Sequence, residues 1–319
     1  MKAAITAFAA LSFAAAAVSA RAQPAPPPAV PVLSSPAPAK APGPPPDYAF
    51  GAYQRGYFIT ALRDAMKRVA ANPKDAAGMT LIGQIYKDGI AVKRDDKEAA
   101  RWFALAAHLG DRQASFALGL AYLQGDGVKK DLQHAKALFE KAAAQGHPGA
   151  LYNLGVMSLE GGDQNFARAA DYFRRAAQAG DSESDYAMAM LYRAGKGVVQ
   201  DRTKAAVWLR RGADERNVDA EVEYGIALFN GDGVKRNEAF AAKYFLEAAA
   251  LNNPVAQDRI ARLLAVGRGV PKDIVQAMKW HILATAAGVK DKWLDQQLTT
   301  LTPQQRIAVR AALKRYVQD

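Results

Sequence analysis

One stretch of this chain is written six times over, and that repetition limits the possible folds more than any other feature. Asp111 to Gly146 contains Ala114, Leu118-Gly119, Tyr122, Gly125-Asp126-Gly127-Val128, Asp131, Ala135, Leu138-Phe139, Ala142-Ala143 and Gly146. One period upstream stand Ile82-Gly83, Tyr86, Gly89, Val92, Asp95, Ala99, Trp102-Phe103 and Gly110. Downstream come Leu154-Gly155 with Gly161 and Tyr172-Phe173, then Tyr192 with Gly195-Lys196-Gly197-Val198. Gly225 with Gly231-Asp232-Gly233-Val234, and Gly267-Arg268-Gly269-Val270 with Trp280, complete the series. Self-similarity at a fixed period in the mid-thirties marks an array of helical repeats. Such arrays grow linearly, so the length implies one elongated domain.

Each unit reads as two helices. Ala114, Ala117-Leu118, Ala121 and Tyr122 recur at helical spacing, and Gly125 follows where a left-handed glycine can end a helix. Asp131 then stands at the N-cap of a second helix, whose buried face is Ala135, Leu138, Phe139 and Ala142. Asp95 with Glu98, and Asp273 with Gln276, predict capping boxes. Gly119 is the odd residue, since a mid-helix glycine costs about 1 kcal/mol relative to alanine. Its recurrence as Gly83, Gly155 and Gly225, with Ala189 and Ala261 elsewhere, predicts close helix contact.

These residues resemble the Sel-one-like repeat (SLR) family, a branch of the tetratricopeptide-type repeats. The shared pattern is a small-Leu-Gly-x-x-Tyr helix, a Gly-x-Gly-Val-x-x-Asp loop and an Ala-x-x-Trp-Tyr-x-x-Ala-Ala helix, over about six repeats from Ala76 to Gly288. Ala91, Ser158, Arg216 and Asn252 depart from it. The resemblance implies an all-α solenoid superhelix of about six 34–36-residue helix-turn-helix repeats, and protein–protein interaction as its use.

The flanks read differently. Residues 1–22 have the form of a secretory signal: Lys2, an Ala-rich core, then small residues around Ala20 and Ala22. The alternatives are an uncleaved anchor or a buried N-terminal helix. Residues 23–47 hold eleven of the sixteen prolines and read as an extended, disordered spacer. Tyr48 to Ala71 is a degenerate first unit, giving a solenoid over 48–288. Beyond it, 289–319 reads as a cap whose helix starts at Thr302-Pro303-Gln304-Gln305. Ile307, Ala311 and Tyr316 are expected to face the array, with Arg306, Arg310 and Lys314 opposite. The chain has no cysteine to carry a lipid, so the periplasm or the cell exterior is the expected address.

Catalytic signatures are missing from the sequence. The four histidines, His108, His134, His147 and His281, form no H-E-x-x-H pair, and Gly195-Lys196-Gly197 is a recurring turn rather than a phosphate loop. The recurrent aspartates are explained by capping. No catalysis, metal or cofactor is expected. The rival is a cell-wall-associated enzyme or carbohydrate-binding module, which would require converging titratable groups.

Two surface patterns point to binding. Lys93-Arg94, Lys129-Lys130, Lys235-Arg236 and Lys272 would form a basic ridge able to meet acidic proteins or an anionic envelope surface, rather than nucleic acid. The fourth repeat breaks the ridge with Val199-Gln200. The other pattern is an apolar row on the first helices: Phe116, Leu120 and Leu123; Tyr152, Val156 and Leu159; Tyr186, Met190 and Arg193; Val222, Ile226 and Phe229. Thr80, Gln84, Lys87 and Asp258, Arg262, Ala265 make its ends polar. An apolar row with polar ends suits a groove for a protein or peptide partner. Packing between repeats would consume the same residues, and both readings stand at this point.

Overall fold

Glycines and N-cap residues punctuate the chain at the expected spacing, and the helices begin and end on them. The computed structural model describes residues 47–159 and 165–318, which lie within one unit, Asp47–Asp319. The expected export segment, the proline-rich spacer before Asp47 and Gly161 lie outside the described residues. Asp47 itself accepts the Phe50 N–H at 2.9 Å and so caps the first helix.

The described residues form sixteen helices and no strands. α1 (Tyr48–Gln54) and α2 (Phe58–Ala71) precede six pairs, each an A helix and a B helix. The pairs are α3 (Ala76–Asp88) with α4 (Asp96–His108), α5 (Arg112–Gln124) with α6 (Leu132–Ala144), and α7 (Pro148–Leu159) with α8 (Phe166–Gln178). α9 (Ser182–Ala194) with α10 (Arg202–Asp214), α11 (Val218–Asn230) with α12 (Glu238–Ala250), and α13 (Pro254–Val266) with α14 (Ile274–Ala286) follow. α15 (Lys292–Thr299) and α16 (Pro303–Gln318) end the chain, α16 lying against α14. Each helix packs chiefly on its neighbours in sequence, as in a solenoid.

The caps form as expected, with one correction. Asp95, Asp131, Asp201, Asn237 and Asp273 accept backbone N–H bonds at the starts of their B helices. Asp75, Asp111, Asp181, Asn217 and Asn253 do the same for A helices. The reciprocal half of the predicted box at Asp95 is not made. The Asp95 N–H donates instead to Tyr86 O at 3.0 Å, and the Asp273 N–H to Leu264 O at 2.9 Å. These bonds tie the B helix back to the A helix of its own repeat, leaving Glu98 to pair with Arg101 at 3.0 Å. A complete box does form at Thr302 and Gln305.

The recurring glycine has a partner that explains it. A Cβ on Gly119 would lie 2.6 Å from the Phe139 ring, and one on Gly83 2.7 Å from Phe103. Gly155 and Gly225 stand in the same way against Phe173 and Phe245, which are buried. Where the facing residue is Leu209 or His281 instead of Phe, the glycine becomes Ala189 or Ala261. Ring and missing side chain are one packing unit, and each buried ring contributes about 1.5–3 kcal/mol.

The second turn glycine sets the spacing between repeats. A Cβ on Gly127 would fall 2.0 Å from Asp96 O, in the first turn of the preceding B helix. Gly197, Gly233 and Gly269 meet Phe166, Arg202 and Glu238 in the same way. The departures at Arg216 and Asn252 keep the geometry of the glycines they replace, with φ of 66° and 64°. A non-glycine there costs roughly 1–3 kcal/mol. Both side chains find partners: Arg216 reaches Glu221 and Glu247, and Asn252 Oδ1 accepts the Tyr316 hydroxyl at 3.1 Å.

The cap helix turns Tyr316 to the array as expected and leaves Arg306, Arg310 and Lys314 exposed, but it does not turn Ile307 or Ala311 inward. Val309 and Ala312 are buried, and Leu313 and Tyr316 pack on the core, whereas Ile307 is 67% exposed and Ala311 is exposed. The apolar line follows i, i+3, i+4, i+7 from Val309, because Trp280 on α14 receives Tyr316 edge-on at 5.3 Å.

Candidate protein-binding surface

The A helices carry the expected row at i, i+4, i+7, and its members differ in how much the fold uses them. Phe116, Leu120, Leu123, Tyr152, Val156, Leu159, Tyr186, Met190, Ile226 and Phe229 are half-buried. Val222 is only 5% exposed and belongs to the core, so a partner cannot reach it in this conformation. Arg193 is exposed and donates to Glu223 at 2.6 Å across the next repeat.

The largest members face the following unit. The Phe116 ring stacks on His147 at 4.2 Å, and a Cβ on Gly149 would lie 2.8 Å from Phe116 Cζ. His147 Nδ1 accepts the Ala150 N–H at 3.2 Å, so Nε2 carries the proton and donates to Gln113 at 2.9 Å. Burial, with Arg112 nearby, keeps this imidazole below its ordinary pKa. Tyr152 lies against Phe173, and burial pushes its phenol up to about 12, as it does that of Tyr186. Part of Phe116 is thus spent against Gly149 of the next repeat and part of Tyr152 against Phe173 of its own, and the remaining surface forms the exposed strip.

Two carboxylates that the sequence reading passed over as binding groups lie wholly inside. Asp185 and Glu221 occupy the same repeat position, which holds Met79, Ser115, Leu151 and Gln257 elsewhere. Their oxygens make no hydrogen bonds among the described residues. Arg211 stands 3.3 Å from Asp185 and Arg216 3.5 Å from Glu221. Burial pushes Asp185 up to about 7 against the pull of Arg211. Glu221 is also raised by burial. A lone carboxylic acid of this kind could shuttle a proton, but Asp185 is sealed from any groove. Among the described residues, no group of three His, Cys, Asp or Glu could hold a metal ion.

The turn lysines and arginines are exposed, but the ridge is partly neutralised. Arg94 pairs with Asp96 at 3.0 Å, and Arg236 pairs with Glu238. A groove of about 410 Å³ opens at the end of the row, between α11, α13 and α15. Ile226 and Phe229 line it, together with Leu263, Trp293 and three arginines. The sequence placed the row's polar end here without showing that the cap supplies a wall.

The repeats match a known family. A profile of the Sel1 repeat fits residues 76–111, 112–147, 148–181, 182–217, 218–253 and 254–289. The chain belongs to the Sel1 repeat family. A Sel1 repeat protein from Oxalobacter formigenes is 32% identical, with a TM-score of 0.70 over 75% of this chain and 98% of its own. The protective antigen c5321 of uropathogenic Escherichia coli, which has an SLR fold, is 25% identical with a TM-score of 0.50. That match covers 82% of this chain and 64% of the antigen. No curated protein matches. Sel1 repeats are generally interaction modules without catalytic activity of their own, and they typically bind proteins. No helix among the described residues is long and apolar enough to cross a membrane.

Proposed function

We propose that this Sel1 protein is an exported, non-catalytic adaptor, which binds a protein or peptide partner along its A helices in the periplasm or outside the cell. The observation that carries the reading is the row itself. From Phe116 to Phe229, successive A helices keep half-buried apolar side chains at one register, and apolar surface repeated in this way invites a partner. The Lys2-to-Ala22 segment supports export. The exposed turn lysines add a contact for an anionic envelope surface.

The test joins two readouts on one preparation. N-terminal sequencing of the mature protein is expected to start at Arg21 or Gln23. Tyr186→Ser is expected to reduce capture of envelope proteins, identified by mass spectrometry, at least severalfold. Circular dichroism melting serves as the control for folding. An intact Met1 would remove the export reading, and undiminished capture by Tyr186→Ser would remove the row as the binding surface.

A further inference from the structure

The groove at the end of the row has walls of two kinds. Its floor is apolar, built from Ile226 and Phe229 on α11, Leu263 on α13 and Trp293 on α15. Its rim is cationic. Arg268 lies 4.4 Å over the Phe229 ring and holds Glu238 with two bonds of 2.8 Å, which keep that carboxyl down at about 2. Arg262 lies over the Trp293 ring and donates from Nε to Asp291. Stacking and pairing fix both guanidinium planes, so their position is set before any ligand arrives.

The donors are not all used. No hydrogen bond among the described residues involves either Nη group of Arg262, and Arg268 uses only Nε and Nη2. Arg259 lines the same groove, is exposed and makes no ion pair among the described residues. Unspent guanidinium donors beside a concave apolar surface match a carboxylate next to an apolar side chain. The volume falls within the roughly 300–1,000 Å³ of ordinary ligand pockets, enough for a few side chains. Ile226 and Phe229 belong to both row and groove, so a chain lying along the A helices would run into it.

We propose that this groove is a subsite for a peptide segment in which acidic residues flank a large apolar residue. The apolar side chain sits between Phe229, Leu263 and Trp293, and a carboxylate pairs with Arg259 and the free Nη groups of Arg262. The assignment rests on the adaptor reading and gives that partner its chemistry.

Three labelled peptides of equal length test it on the full chain by fluorescence anisotropy: Phe and Leu residues spaced by Glu, by Gln or by Lys. The Glu peptide is expected to bind. The Gln version should be about tenfold weaker, the size of one charge-assisted contact, and the Lys version weaker still. Added salt should weaken the Glu peptide, because the Debye length falls from about 10 Å at 0.1 M to about 3 Å at 1 M.

Arg259→Glu and Val266→Asp change exposed lining residues, so the melting temperature should not move. Each is expected to weaken the Glu peptide about tenfold. Arg259→Glu should also bind the Lys peptide more tightly than the unaltered protein does. Equal binding of all three peptides, or Glu-peptide affinity untouched by both substitutions, overturns the proposal. A failed Glu peptide beside intact envelope capture overturns the groove and leaves the adaptor reading standing. The expected peptide results beside undiminished capture by Tyr186→Ser uphold the groove and overturn the row.

Discussion

Repeat 112–147 places Ser115 at the fourth residue of its A helix, where the hydroxyl donates to Asp111 O at 2.8 Å. Repeat 182–217 places Asp185 there, fully buried beside Arg211. The first packs Gly119 under Phe139, the second Ala189 against Leu209. The first ends on Gly146, the second on Gly212 and Arg216, with glycine where the other repeats have alanine. A Cβ on Gly212 would lie 2.9 Å from Ala220 and 3.3 Å from Asp185 Cβ. One backbone register therefore tolerates an aromatic, neutral joint and a charged one. Side-chain volume is traded between helices rather than within one.

The comparison breaks first at the aromatic seam. Phe116→Asp puts a charge against His147 and Gly149 and should cost about 3–5 kcal/mol, read as a fall in the denaturant midpoint. A midpoint unmoved by this change would show that the seam does not hold the second and third repeats together.

The charged joint should respond to pH instead. Burial raises the Asp185 carboxyl from 3.8 to about 7, with Glu215 and Asp181 adding to the rise and Arg211 opposing it. The folded chain thus holds this proton more tightly than the unfolded chain does. Its contribution is full below pH about 3.8 and is lost as the pH climbs to about 7. Asp185→Asn removes the titration, so the variant should gain on the unaltered protein over that window. The gain should reach about 4 kcal/mol at pH 8, taking about 1.4 kcal/mol per unit over the rise from 3.8 to about 7. Arg211 is partly exposed and bonds to Ala177 O, so it is not stranded. Parallel stability curves from pH 4 to pH 8 would count against the buried-carboxylate account.

The smallest effect sharpens the volume trade. Gly119→Ala should cost about 1–3 kcal/mol through its clash with Phe139, and adding Phe139→Leu should recover part of that loss. The double variant copies the Ala189–Leu209 pair of the fourth repeat. A thermal melt in which the two changes simply add would show that ring and glycine are not coupled.

The sequence by itself determined the repeat length, the pairing of helices and their ends. Those signals are local: an aspartate or asparagine that caps within three residues, and a glycine that turns left-handed at a fixed place. It also showed that Gly119 needed room, because a costly residue recurred, though not that Phe139 filled the room.

Tertiary structure alone decided which residues the stacking consumes. Val222 and Phe116 occupy equivalent faces by periodicity, yet Val222 is buried in the core and Phe116 is half-buried against His147 and Gly149. The cap helix turned Val309 rather than Ile307 inward because Trp280 offered Tyr316 a site, and Trp293 closed a groove that the row alone does not contain. Periodicity reports which face of a helix is apolar. How far each unit rotates on the next, and so what covers that face, is set by contacts some thirty-odd residues apart that no local spacing encodes.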